Sequence, residues 1–143
     1  MATTLGIDWG ERRLGFAVSD PLGLIATTLH TAHISSRAEA LAAAESAFKE
    51  SGAARIVIGL PVNMDGQPGP MAERVRAFAD DLAARLDVPV DCWDERLSSA
   101  QAERTMRDAG MSARRRKQAR DKLAARIILQ SWLDAHQDPE PLP

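Results

Sequence analysis

Residues 56–58 form a short apolar run, Ile-Val-Ile, between two amphipathic segments. Such a run is typical of a strand inside a sheet that is covered on both faces. The flanking segments have helical spacing. One begins with a capping-box pattern at Ser36 and ends at Gly52, and the other runs from Met71 to Leu86. This order predicts parallel strands that are joined by crossover helices.

The N-terminal part of the chain has a different pattern, in which apolar residues alternate with small or polar ones. Residues 5–9 and 14–18 alternate on either side of a short connection, which is typical of two strands joined as a hairpin. A third strand is expected over 26–34. We therefore expect a single-domain α/β fold with a mixed five-stranded sheet flanked by helices, in the order βββ-α-β-α-β-α-α.

The C-terminal part is predicted to add one strand and two helices. The strand covers residues 88–93, a serine pair at 98–99 can cap the third helix, and the last helix covers about 114–135. The domain is expected to span residues 1–137. A flexible, proline-rich tail is expected over 138–143.

Composition excludes several classes of protein. The chain has 143 residues, of which 45% are apolar and 27% charged, as is usual for a folded domain. The single cysteine, Cys92, excludes an internal disulfide and an all-cysteine metal site. No apolar run approaches the roughly 20 residues that a membrane span requires, and Asp8 interrupts any secretion signal. We therefore expect a cytoplasmic protein without a membrane partner.

The basic residues are concentrated near the C-terminus, although the net charge of the chain is only −2. Residues 104–126 contain nine of the 18 lysines and arginines but only two of the 20 acidic residues. A local basic patch attracts polyanions whatever the average charge, so this pattern predicts a nucleic-acid partner. The alternative is an ordinary solvated helix face.

Three acidic residues lie where a carboxylate is costly unless it has a partner or a function. Asp8 lies inside the first expected strand, and Glu95 follows the last one. Asp121 lies in the basic helix, and helical spacing directs it, with Ile128, toward the core. These three residues are the candidates for a catalytic site.

Three carboxylates that converge at one edge of a sheet suit Mg²⁺ or Mn²⁺, which prefer hard oxygen ligands. Two such ions about 4 Å apart can activate water and stabilise the departing oxygen in phosphodiester cleavage. Glycines at 6, 10 and 15 would leave room for a phosphate backbone to approach. The alternative is structural: Asp8 caps a turn, and the other two acids pair with arginines such as Arg96.

Several short motifs together resemble the YqgF/RuvX family, whose members are ribonuclease-H-like proteins described as Holliday-junction-resolvase-like or as pre-16S rRNA nucleases. The first motif is Gly-Ile-Asp-Trp-Gly at 6–10. The similarity extends over residues 4–133 in the order that the family shows. Its further segments are 13–15, 17–20, 59–61, 65–66, 94–99, 102–103, 121–125 and 128–130. One departure is Ser99, where the family usually has threonine, so a hydroxyl group is kept.

The resemblance implies a ribonuclease-H-like fold in which Asp8, Glu95 and Asp121 are catalytic acids that bind two divalent ions, Mg²⁺ or Mn²⁺. It implies hydrolysis of phosphodiester bonds, with in-line attack of water and departure of the 3′ oxygen. The favoured substrate is the 5′ end of precursor 16S rRNA in ribosome biogenesis, with the ribosomal particle as a possible partner. The alternative is the resolution of branched DNA, which requires a dimer. A monomer or a homodimer is therefore expected.

Contacts to nucleic acid are expected at the basic cluster that opens the last helix, because cations there oppose the helix dipole. Such contacts to phosphate groups would position nucleic acid without reading its sequence. The loop after the buried strand is a further candidate, although Asp65-Gly66 within it is equally typical of a plain turn. The candidate nucleic-acid-binding residues are Arg13, Asn63, Ser98, Ser99, Arg114, Arg115, Arg116, Lys117 and Arg120.

Overall fold

The computed structural model describes residues 2–63 and 65–137 and has an α/β fold with one mixed sheet. The strands are β1 (Thr4–Trp9), β2 (Arg13–Ser19), β3 (Ala26–His33), β4 (Arg55–Leu60) and β5 (Val90–Asp94). The helices are α1 (Arg37–Ser51), α2 (Pro70–Leu86), α3 (Glu95–Asp108) and α4 (Ala113–Ala135). The element order predicted from the sequence is confirmed, whereas the expected tail over 138–143 lies outside the described residues.

The strand order in the sheet is β3-β2-β1-β4-β5. The hairpin connections make β1, β2 and β3 antiparallel, while β1, β4 and β5 run parallel. Ile7 of β1 pairs with Ile58 of β4, and Gly59 pairs with Trp93 of β5. The carboxyl ends of β1, β4 and β5 therefore meet at one edge of the sheet.

The two faces of the sheet have separate cores. Leu5, Ile7 and Ile58 belong to the core beneath α1 and α2, and each is fully buried. Val57 belongs to the core on the other face, beneath α4. Strand β4 is therefore covered on both faces, as its apolar run at residues 56–58 predicts.

Close packing of α4 corrects one expectation about Gly6. A Cβ added at Gly6 would lie 2.8 Å from Leu129 Cβ and 3.2 Å from the carbonyl oxygen of Ala125. The missing side chain therefore makes room for the helix. It does not leave space for a phosphate backbone.

The first and third helices begin differently. The side chain of Ser36 accepts a hydrogen bond from the Glu39 backbone N–H at 3.1 Å, as the capping box predicts. The third helix, however, begins at Glu95 and not at the serine pair. Asp94 caps it by accepting from the Arg96 N–H at 2.9 Å. Ser98 instead lies buried in the first turns of that helix.

Helix α4 is interrupted at Leu123, which has φ −109° and ψ 16°. Residues after the interruption, such as Ile128 and Leu129, are buried against the sheet. Asp121 lies before it and lines the same open cavity as Ala124 and Ile128, so the shared side of the helix is as expected. Asp121 is exposed, however, so the expectation that it points into the core is wrong. Within the described ranges, no helix has the length and apolar character needed to cross a membrane.

Candidate active site

The three candidate acids line one open cavity of about 300 Å³ at the carboxyl edge of the parallel strands. Asp8 reaches it from β1, Glu95 from the start of α3, and Asp121 from α4. Four further candidate residues share its wall: Arg13, Ser98, Ser99 and Arg120. The sequence separations of these acids are large, so the fold itself brings them together.

Glu95 is positioned by its place between β5 and α3. The Asp94 cap starts the helix directly after the strand, so Glu95 lies at the sheet edge. Ser98 supports this first turn, because its hydroxyl donates to the Glu95 carbonyl oxygen at 3.0 Å. The Glu95 side chain then lies over Gly59 of the neighbouring strand β4.

The environment of Glu95 disfavours its charged form. Burial, with the nearby carboxylates of Asp8 and Asp94, raises its pKa to about 7. Arg96, the nearest cation in sequence, is engaged elsewhere, because its Nη2 lies 2.7 Å from Asp94 Oδ2. Glu95 therefore has negative neighbours and no compensating arginine from its own turn.

Asp8 is the acid that interacts with both of the others. Burial raises its pKa, the Arg13 guanidinium lowers it, and the Asp121 carboxylate raises it again. Asp8 in turn contributes to the raised pKa of Glu95. This repulsion adds to burial and disfavours the charged forms of Asp8 and Glu95.

The structural alternative for these acids required salt bridges with arginines. Among the ion pairs in the described part of the chain, none within 4.0 Å includes Asp8, Glu95 or Asp121. Carboxylate oxygens are the donors that Mg²⁺ and Mn²⁺ prefer, so the chemistry of the cavity fits such an ion. Over residues 2–63 and 65–137, however, no three acidic, histidine or cysteine side chains are gathered closely enough to hold a metal ion. Binding would therefore draw the carboxylates closer together.

The basic cluster at the start of α4 divides into two groups. Arg116 Nε donates to Glu103 Oε1 of α3 at 2.7 Å, and Arg120 also donates to the carboxylate of Glu103. These two arginines connect the helices, and the side chain of Arg116 is only 16% exposed. The remaining members of the cluster are exposed to solvent: Arg114, Arg115 and Lys117.

Asn63 lies in the loop between β4 and α2 and does not line the cavity that the three acids share. Its carbonyl oxygen accepts from the Gly66 N–H at 2.8 Å, and Asp65 Oδ1 accepts from the Gln67 N–H at 2.9 Å. Gly66 has a positive φ of 84°. These contacts form a tight turn, which is the structural alternative stated above for the Asp65-Gly66 pair.

Sequence reasoning missed the contribution of Gly59 to the site. It belongs to the motif at 59–61, but it carries no functional group that would link it to an acidic site. Its role depends on the register that places Gly59 beside Trp93, two residues before Glu95. A glycine inside an otherwise β-branched strand is the one signal that could have indicated a close approach.

The fold resembles that of solved structures of RuvC. One structure of RuvC from Thermus thermophilus has a TM-score of 0.58 at 16% identity, covering 93% of this chain and 95% of that one. The same protein in complex with a Holliday junction substrate has a TM-score of 0.57 at 16% identity, covering 92% of both chains. The fold is therefore ribonuclease-H-like.

Sequence comparison defines the family. The model of the RuvX family, described as Holliday junction resolvase, matches residues 2–135, and the chain belongs to this family. A relative from Myxococcus xanthus is 47% identical and covers 96% of this chain and 91% of its own length. One from Pelotomaculum thermopropionicum is 43% identical, with coverages of 94% and 88%. Both are named "Putative pre-16S rRNA nuclease".

Proposed function

We propose that this protein is a metal-dependent nuclease of the cytoplasm that processes the 5′ end of precursor 16S rRNA. The observation that carries the proposal is the group of three carboxylates, without salt-bridge partners in the described chain, that line one cavity together with two arginines. The names of the relatives support the choice of substrate.

Asp8, Glu95 and Asp121 would hold the divalent cations, which we expect to be two Mg²⁺ or Mn²⁺ ions. Asp8 is the central member of this set, because it interacts electrostatically with both other acids. When bound, such ions supply an activated water and stabilise the leaving 3′ oxygen, which yields a 5′ phosphate.

The remaining cavity residues would orient the substrate. Arg13 is exposed beside Asp8, where its guanidinium can pair with a phosphate that flanks the reacting one. Ser99 is an exposed residue of the same cavity and adds a hydroxyl group. Arg114, Arg115 and Lys117 extend this positive surface along α4, where phosphate contacts would set the position of the strand.

The test is a comparison of wild-type protein with Asp8→Asn. Both are incubated with Mn²⁺ and then Mg²⁺ on two labelled substrates, a 16S rRNA 5′-precursor fragment and a four-way DNA junction. The matched control is Asp91→Asn, which makes the same chemical change at an exposed residue of β5. We expect metal-dependent cleavage of the RNA by wild type and by the control, and none by Asp8→Asn.

Other outcomes would change the conclusion. Cleavage by Asp8→Asn at the wild-type rate would show that the site is wrong. Symmetric nicking of the junction alone would favour the resolution of branched DNA, as the family description suggests. That activity requires a stable dimer, so a strict monomer in sedimentation at low concentration would count against it.

A further inference from the structure

A second cavity of about 420 Å³ opens beside the acidic one, between the hairpin strands and α4. Asp8, Arg13 and Asp121 line both cavities, so the two are continuous at the candidate catalytic site. This volume lies within the range of about 300–1,000 Å³ that is usual for small-ligand sites. The second cavity therefore offers a place for the part of a substrate next to the reacting phosphate.

The β3 wall of this cavity depends on a β-bulge. Gly15 of β2 pairs with Thr31, whereas Ala17 pairs with Thr28, so the bulge lies between these two pairs. In a regular strand, residues three apart would face opposite sides of the sheet. The extra residue turns Thr28 and Thr31 to the same side, and both line the cavity.

The two walls of the cavity differ in chemistry. The β3 wall presents the hydroxyl groups of Thr28 and Thr31, and both residues are exposed to solvent. The α4 wall presents the cationic side chains of Lys122 and Arg126, which are also exposed. Gly15 lies between the walls and adds no side chain of its own. Neutral hydrogen-bonding groups thus face cations across an open slot.

We propose that this slot binds one ribose-phosphate unit of an RNA strand next to the scissile phosphate. Thr28 and Thr31 hydrogen-bond the ribose 2′-hydroxyl, and Lys122 and Arg126 pair with the flanking phosphates. The 2′-hydroxyl is the group by which a protein distinguishes RNA from DNA at a given site, so these threonines favour RNA. The inference rests on the proposed nuclease function, and it adds a structural reason why that nuclease would prefer RNA to DNA.

The experiment measures binding of RNA and DNA 12-mers of one sequence by fluorescence anisotropy. All proteins carry Asp8→Asn, so that turnover does not consume the RNA. Thr28→Val/Thr31→Val removes both hydroxyls and keeps the shape and strand preference of the side chains. The matched control is Thr27→Val, because Thr27 is an exposed residue of β3 that pairs with Val18, next to the register positions that form the cavity wall.

We expect the double variant to weaken RNA binding by about 3- to 10-fold, the size of one or two lost hydrogen bonds. The ratio of DNA to RNA dissociation constants should fall by the same factor, and Thr27→Val should leave that ratio at its starting value. An equal loss for RNA and DNA, an unchanged ratio, or the same change in Thr27→Val would overturn the proposal. Cleavage by the chain with Asp8 intact is measured separately, so failure of the slot and failure of the nuclease function are distinguishable.

Discussion

The carboxylate of Glu95 occupies the space that a side chain at residue 59 would need. A Cβ built on Gly59 would lie 2.8 Å from Glu95 Oε1 and 2.5 Å from Ile128 Cδ1. Both atoms are the ends of flexible side chains, which must move to make room. Gly6 differs, because its contacts are with Leu129 Cβ and a main-chain oxygen of α4. Gly59 therefore shapes the site, while Gly6 allows the helix to pack.

We predict that Gly59→Ala reduces RNA cleavage at least about 10-fold, because a displacement of about 1 Å in a catalytic group can reduce the rate about 100-fold. The loss of stability should be about 1–3 kcal/mol, the usual effect of an added methyl group in a packed region. Single-turnover cleavage and urea denaturation measure the two effects.

Ile128→Val provides the control, because it removes the Cδ1 atom that the new methyl group would contact. In Gly59→Ala/Ile128→Val, part of the stability should return while cleavage stays low. Gly6→Ala should lower stability more than Gly59→Ala does. Recovery of cleavage in the double variant would assign the effect to packing and not to Glu95.

The raised pKa of Glu95 predicts how stability depends on pH without metal. Its folded-state pKa is about 7 against an ordinary 4.5, so its protonated form is favoured by folding. This contribution is fully present below pH 4.5 and is lost as the pH rises through about 7. In a chelator at pH 8, Glu95→Gln should therefore be more stable than wild type, by about 2–4 °C in Tm per kcal/mol relieved.

The measurement is thermal unfolding of both proteins at pH 5 and pH 8. The difference in Tm between variant and wild type should grow with pH. Taking this difference cancels the pH dependence of the other groups, which both proteins share. Glu50→Gln, an exposed residue of α1, is the control and should show no such growth. A constant difference for Glu95→Gln would contradict the prediction.

Metal binding should reverse this destabilisation in wild type. Because ligand carboxylates must be deprotonated, Mn²⁺ should raise Tm more at pH 8 than at pH 5. Asp8→Asn should show a smaller rise at pH 8, because it lacks the acid that interacts with both others. An equal rise in Asp8→Asn, measured by calorimetry in the same buffer, would place the metal elsewhere.

Adjacent arginines of the basic cluster should differ in their effect on stability. Arg116→Ala leaves Glu103 with Arg120 as a partner, but it removes the side-chain donor to the Met111 carbonyl oxygen, so it should cost about 1 kcal/mol. Arg115 is exposed, so Arg115→Ala should change stability by no more than about 0.5 kcal/mol. Equal losses in urea denaturation would show that both arginines have the same role.

The exposed part of the cluster should act on nucleic-acid binding. Arg114, Arg115 and Lys117 are each changed to alanine. Every substitution that removes a phosphate contact should reduce the magnitude of the slope of log binding constant against log salt concentration by about 0.7 for a single strand. Binding to different sequences should weaken equally, because phosphate contacts do not read bases. A salt slope that stays at the wild-type value in the triple variant would exclude this surface.

Local sequence was sufficient to predict the elements and their order. Periodicity, caps and breaks act over a few residues, so Ser36, Gly52 and the Ile56–Ile58 run marked their elements correctly. The choice of Asp8, Glu95 and Asp121 as candidates also followed from sequence, because Asp8 interrupts an expected strand, Glu95 follows one and Asp121 is one of two acids in the basic segment. The start of α3 was misjudged, since Asp94 and the serine pair are both good caps and nothing local ranks them.

Contacts between distant segments depended on the folded chain. Strand register and helix packing determine three features of the site. Helix α4 packs against Gly6, Glu95 lies over Gly59, and a bulge brings Thr28 and Thr31 to the same side. The break at Leu123 and the exposure of Asp121 have no marker in the local pattern. Residue spacing predicts which side of an element a residue faces, whereas distances across the site are set by how the elements pack, and packing depends on all of them at once.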